Sequence, residues 1–182
     1  RLEGLKMCFI GDGNNMANSL IVGCLKVGME VSVACPEGYD PHPDVLAFAR
    51  EAGHGFSLVR DPLEAAAGDD VCAVMMELVQ GEGGVLPLDR DYVKAVARLC
   101  AEKDWLLLVD EVQTGVGRTG SLFAFQQYGI LPDVASFAKG IAGGLPMSGI
   151  LANEKCRDVL GPGTHATTFG ANPVCAAAGL AV

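Results

Sequence analysis

An unbroken apolar run, Leu106–Val109, leads straight into the acids Asp110 and Glu111 and then into a loop punctuated by Gly115, Gly117 and Gly120. Apolar residues without alternation predict a strand buried on both faces, the pattern of a parallel sheet covered by helices. In such sheets ligands sit beyond the carboxyl ends of the strands, so an acid delivered there is a candidate for chemistry. A helix cap or a solvated loop acid is the structural alternative for Asp110 taken alone.

The rest of the chain repeats the theme. Leu5–Ile10 predicts a strand, Gly11–Asn15 a tight turn and Met16–Val27 a helix; Val31–Ala34, Asp44–Ala52 and Phe56–Val59 continue as strand, helix and strand. The order βαβαβ implies a parallel, right-handed, Rossmann-like arrangement. Further on, Cys72–Val79 reads as a strand, and Asp89 caps a helix over Arg90–Lys103 with Val93, Val96, Ala97 and Cys100 on one apolar stripe. Leu122–Tyr128 reads as a short helix, Val134–Ala138 and Ser148–Ala152 as strands, and Glu154–Leu160 as a helix. The closing NPVCAAAGLAV reads as a helix still in progress, and with Arg1 at the start the chain is expected to be a piece of something longer.

Composition narrows the function classes. A hydrophobic fraction of 50% and a mean hydropathy of +0.32 suit a globular α/β protein and argue against disorder. A net charge of -9 without a basic patch leaves nothing to offset phosphate repulsion, so neither a nucleic acid nor an anionic membrane is an expected partner. No apolar run approaches the ~20 residues that a bilayer requires, and no signal peptide is visible. The seven cysteines show no CxxC or other metal spacing and lie mostly in apolar runs, which predicts reduced core residues in a cytoplasmic protein. His42, His54 and His165 lie far apart in sequence, so no metal site is expected.

Two local features carry chemistry. Asp133–Lys139 (DVASFAK) predicts a buried strand ending in a lysine, followed by the small residues Gly140, Ala142, Gly143 and Gly144. Burial would depress the pKa of that amine and make it a nucleophile, as in a Schiff base to pyridoxal phosphate, whose ring nitrogen requires an anionic partner such as Asp110. The turn Gly11-Asp12-Gly13-Asn14-Asn15 fails the GxGxxG dinucleotide pattern, because Met16 takes the third glycine position and Cys35 and Pro36, not an acid, follow the second strand. Asn14 and Asn15 stand instead where a helix N-terminus could receive a ligand carboxylate, with an Asx turn capping the helix as the structural alternative.

The motifs MMELVQGEGGV, DEVQTGVGRTG, SFAKGIAGGLP and HATTFGANP, in that order over roughly the last 110 residues, resemble the class III pyridoxal-phosphate aminotransferases, and within them the acetylornithine aminotransferases. The resemblance implies, over 69–182, part of the large domain of a type I pyridoxal-phosphate transferase with a mostly parallel sheet. It implies that Lys139 forms the Schiff base and shuttles a proton, that Asp110 pairs with the pyridine nitrogen, and that Gln113 bonds near the phenolic oxygen. Val112, pointing the same way as Asp110 on a period-two strand, would pack on the ring. Thr168 would donate to the cofactor phosphate of a neighbouring subunit, which implies a homodimer with composite sites. Glu82 would pair with an arginine and gate substrate recognition.

Residues 1–68, with LKMCFIGDGNNMANSL, VSVACPEGYDP and RDPLEAAAG, resemble the ornithine-binding domain of ornithine carbamoyltransferases, where Asn15 would contact the ornithine α-carboxylate. The join falls in AAAGDDV, Ala65–Val71, and is read as either a gene fusion or an assembly from two sources. The resemblance leaves each half with one end of its family's site, since the aminotransferase phosphate loop, ring-stacking aromatic and carboxylate-binding arginines belong to segments not in this chain. The expected activity is transamination of N-acetylornithine or ornithine with 2-oxoglutarate in arginine biosynthesis, incomplete here. The alternatives are citrulline formation from ornithine and carbamoyl phosphate, or an inert fused α/β domain.

Overall fold

The structure is a computed structural model and describes residues 2–53, 55–66, 71–164 and 167–182. His54, His165 and most of the join, 67–70, lie outside the described residues. The chain forms two compact units, Arg1–Leu107 and Leu108–Val182.

The first unit begins β1 (Lys6–Ile10), α1 (Asn15–Lys26), β2 (Glu30–Ala34), α2 (Pro43–Ala52), β3 (Phe56–Val59) and α3 (Pro62–Ala65). It continues with β4 (Val71–Glu77), a small antiparallel hairpin β5 (Val79–Gln80) and β6 (Leu86–Pro87), and α4 (Arg90–Lys103). Its strands lie in the order β3-β2-β1-β4, all parallel, with Ile10 opposite Ala34 on one side and Met76 on the other. The unalternated apolar runs are buried as their composition requires: Cys8, Phe9, Val33, Val74 and Met76 have no solvent exposure. The expected βαβαβ unit is therefore present, and the strand that follows the join, β4, pairs directly with the first strand of the chain.

Polar groups set the helix ends. Asp89 accepts the Tyr92 amide at 2.9 Å to start α4, and Asp104 in the left-handed conformation (φ 55°) closes it. Its stripe Val93, Val96 and Cys100 is buried. α2 starts at proline 43 with the His42 ring accepting the Asp44 amide, and ends at left-handed Gly53.

The second unit takes in the end of β7 (Leu106–Asp110), which the division between units cuts after Leu107, then α5 (Phe125–Tyr128), β8 (Val134–Phe137), a 3-10 turn Lys139–Ala142, β9 (Gly149–Ala152) and α6 (Pro173–Ala181). β8 runs parallel to β7 and antiparallel to β9, so a mostly parallel sheet with helices is what the residues build. α6 starts where the Asn172 side chain accepts the Val174 and Cys175 amides.

Two expectations are corrected. Leu122–Tyr128 is helical only over Phe125–Tyr128. Glu154–Leu160 is no helix: the amides of Cys156 and Val159 reach back only three residues, to Asn153 and Cys156, and Asn153 Oδ1 accepts the Lys155 amide. A short segment gains helical stability mainly by burying a face, and Glu154, Lys155 and Arg157–Leu160 are all exposed. Gly161-Pro162-Gly163 then ends it.

Candidate functional site

Asp110 is the last residue of β7 and Ser136 is its register partner on β8. Lys139 follows three residues later, just past the end of β8, so the acid and the amine are carried by the carboxyl ends of two neighbouring parallel strands. Between them runs the loop 111–120. Asp110 Oδ1 accepts the Val112 amide at 2.9 Å and the Ser136 hydroxyl at 3.2 Å. Both bonds fall on the same oxygen, and among the described residues Oδ2 accepts none. Lys139 Nζ donates to Gln113 Oε1, so the loop that leaves Asp110 also reaches the lysine.

The backbone here is bent by force. Val116 and Lys139 have φ of 57° and 46°, the left-handed region that side chains other than glycine seldom adopt, and a β-branched residue there is a true outlier. Gly115 could be nothing larger: an added Cβ would stand 2.7 Å from the Glu111 carbonyl and 3.1 Å from the Phe123 ring. Phe123 stacks on Phe125 with centroids 5.5 Å apart and meets Phe137 edge-on at 5.9 Å, giving the loop an aromatic floor.

Two expectations change. Lys139 is exposed rather than buried, because β8 ends at Phe137 and the left-handed turn swings the lysine out of the strand onto Gln113. Val112 is not on a strand, since β7 stops at Asp110, and its amide folds back onto that carboxylate, so period-two geometry does not orient it. Gln113 Oε1 accepts from the lysine amine. Thr168 is exposed in a turn before α6, beside a cavity of about 540 Å³ whose lining includes Met147, Ser148, Thr167 and Asn172.

The other two candidates lie in the first unit. Asn15 is exposed as the first residue of α1. Asn14 does not cap that helix; its Nδ2 donates to Asp12 Oδ2 at 2.9 Å, so the Asx-turn alternative fails. Glu82 is exposed in the β5–β6 loop. Asp12 is buried with Oδ1 unpartnered, and its pKa is raised, chiefly by burial, with the neighbouring Glu82 charge pushing the same way and a backbone hydrogen bond opposing. The glycine turn serves packing: a Cβ on Gly13 would stand 2.2 Å from the Pro41 nitrogen, so the close approach is to the chain itself.

Residues Glu111 and Ser136 were given no role from sequence. The signal for Glu111 was a second acid ending an apolar run with a threonine three residues on; for Ser136 it was a hydroxyl inside DVASFAK.

The Aminotransferase class-III family model matches residues 56–182, and the Asp/Orn-binding domain of aspartate/ornithine carbamoyltransferases matches residues 3–82. Acetylornithine aminotransferase of Caldanaerobacter subterraneus subsp. tengcongensis is 51% identical over 122 residues, 67% of this chain and 31% of the relative. That of Wolinella succinogenes is 46% identical over 144 residues, 79% of this chain and 34% of the relative. Ornithine aminotransferase from Toxoplasma gondii ME49 superposes with a TM-score of 0.72 at 31% identity, covering 99% of this chain and 41% of that one. N-acetylornithine aminotransferase from Stenotrophomonas maltophilia K279a gives 0.59 at 29%, covering 97% and 37%.

The fold is that of the pyridoxal-phosphate transferases of type I. The chain belongs to the class-III aminotransferase family, whose cofactor is pyridoxal phosphate, and spans about a third of the length of the curated relatives it matches. Its residues fit that cofactor: a carboxylate with one oxygen tied down and the other open, and an exposed primary amine at the next strand end.

Proposed function

We propose that this chain carries the cofactor-anchoring part of an aminotransferase that moves the amino group of N-acetylornithine, or ornithine, to 2-oxoglutarate in arginine biosynthesis. The observation that carries the reading is the pairing of Asp110 and Lys139 at adjacent strand ends, joined through Gln113. When bound, pyridoxal phosphate supplies an electron sink that lets the substrate α-carbon give up its proton. Lys139 would hold the cofactor through its amine and would supply the general base that moves that proton. Asp110 presents Oδ2 to the ring nitrogen and keeps it protonated, while Ser136 and the Val112 amide fix the other oxygen. Gln113 orients the amine and the phenolic edge, and Val112 flanks the ring. Thr168 holds the phosphate of a neighbouring subunit, which makes the working form a homodimer, and Glu82 gates the substrate. The cytoplasm is the proposed place of action.

The test is direct. Chain mixed with pyridoxal phosphate should gain a visible absorption band that borohydride bleaches, and peptide mapping should then find the phosphopyridoxyl group on Lys139. No band, or a label spread over surface lysines, would sink the reading.

A second reading rests on the match of residues 3–82 to the Asp/Orn-binding domain and on Asn15 standing exposed at the head of α1. There Asn15 would hold an ornithine α-carboxylate, and citrulline formed from carbamoyl phosphate would support it. If neither test responds, the inert fused domain is what remains.

A further inference from the structure

Glu111 has no solvent exposure, yet nothing in the chemistry proposed for the site uses it. Its carboxylate is fully engaged all the same. Oε1 accepts the Phe125 amide, the first of α5, at 2.8 Å, and Oε2 accepts the Thr114 hydroxyl. Its backbone is tied as well: the amide donates to the Ser136 carbonyl of β8 at 2.8 Å and the carbonyl accepts the Gly115 amide at 2.7 Å. One residue thus joins β8, α5 and the loop. Gln113, which meets the lysine, lies between Glu111 and Thr114, so the side-chain bond between those two closes a ring around it.

We infer that Glu111, acting through Thr114, is the positioning residue that holds Gln113 against Lys139 and Asp110 against Ser136. Glycines at 115, 117 and 120 leave this loop conformationally free, and the buried Glu111–Thr114 bond holds the stretch that carries Gln113. The carboxylate suits the task because each of its oxygens takes one donor, a backbone N–H at Oε1 and a hydroxyl at Oε2. This inference rests on the reading of Lys139 and Asp110 as the cofactor site, and its test separates the two.

Thr114 is buried, and its hydroxyl can be removed at nearly constant volume by Thr114→Val or kept by Thr114→Ser. Two readouts are taken on the whole chain. The first needs no cofactor: lysines are reductively methylated with 13C, and the Lys139 resonance, assigned by its loss in Lys139→Arg, is compared among variants. The second is the dissociation constant for pyridoxal phosphate from the visible band. Thr114→Val should shift the Lys139 resonance and weaken cofactor binding about tenfold, as the loss of one buried hydrogen bond does, while Thr114→Ser stays near the unsubstituted chain. Glu111→Gln should fall between, since an amide can accept from Phe125 and donate to Thr114. If Thr114→Val leaves the resonance unmoved, or if Thr114→Ser moves it equally, the positioning role is wrong. If the resonance responds as stated but the unsubstituted chain binds no cofactor, the positioning stands and the proposed function falls.

Discussion

At the scale of single residues, the charged groups divide into those the fold holds fast and those it leaves open. Asp110 has one oxygen bonded twice and, among the described residues, Lys139 reaches only Gln113, so the pair is oriented without being sealed. Asp12 is the opposite case: a buried carboxyl with an unpartnered oxygen, an amide donor on the other, and the Glu82 charge close by. Its pKa stands above the ordinary 3.8, so the folded state binds that proton more tightly than the unfolded chain does. Stability from this group is complete below the ordinary value and is lost as pH climbs through the raised one. Asp12→Asn, which removes the buried charge, should therefore unfold at higher denaturant than the unsubstituted chain at pH 7. The difference should close below pH ~4, where the carboxyl carries its proton in either state. Urea titrations at the two pH values decide it. Of the site, the sequence made legible the acid and the amine, because each ends an apolar strand. It did not disclose that Lys139 is exposed or that Val112 lies off the strand, because a left-handed residue after β8 and the end of β7 at Asp110 are backbone events with no side-chain period.

At the scale of elements, capping and close packing decide where things stop. Asp89→Ala removes the acceptor for the Tyr92 amide at the exposed start of α4 and should cost about 1 kcal/mol in chemical denaturation. Gly13→Ala should cost about 3 kcal/mol, because the added carbon meets main chain at Asp40 and Pro41 and neither side can give way without moving a loop. The same measurement separates them: a cap loss leaves the rest of the transition cooperative and small, whereas the packing clash shifts it strongly. Most elements were readable from apolar runs, since β3 and α4 have the bounds their patterns imply. The failed helix at Glu154–Leu160 shows the limit of that signal. Helical spacing of Cys156, Val159 and Leu160 with charged neighbours says nothing unless another surface receives the apolar face, and Val159 and Leu160 are exposed. There the Arg157 ion pairs with Glu154 and Asp158 hold turns, not a helix.

At the scale of the molecule, the cysteines are all free and five of the seven are buried. Cys8 is pushed up to about 12, chiefly by burial. A reducing agent should leave the unfolding midpoint where it is, and an alkylating reagent should reach Cys8 only after unfolding; mass spectrometry of briefly labelled chain reads both. Pyridoxal phosphate at a hundredfold excess over its dissociation constant should stabilise the chain by about 2.7 kcal/mol through mass action and so raise the midpoint, and sedimentation should show a dimer if Thr168 serves a neighbour. One consequence follows from the backbone angle at Lys139. Lys139 also serves as an elbow that glycine would form at ease, at a cost of roughly 1 kcal/mol that the proposed role of its amine would account for. Lys139→Gly should then be sturdier than Lys139→Ala, both being dead at the amine. Descendants of such a chain that have shed the reaction would drift toward glycine or asparagine at this point, and that drift would mark them as retired.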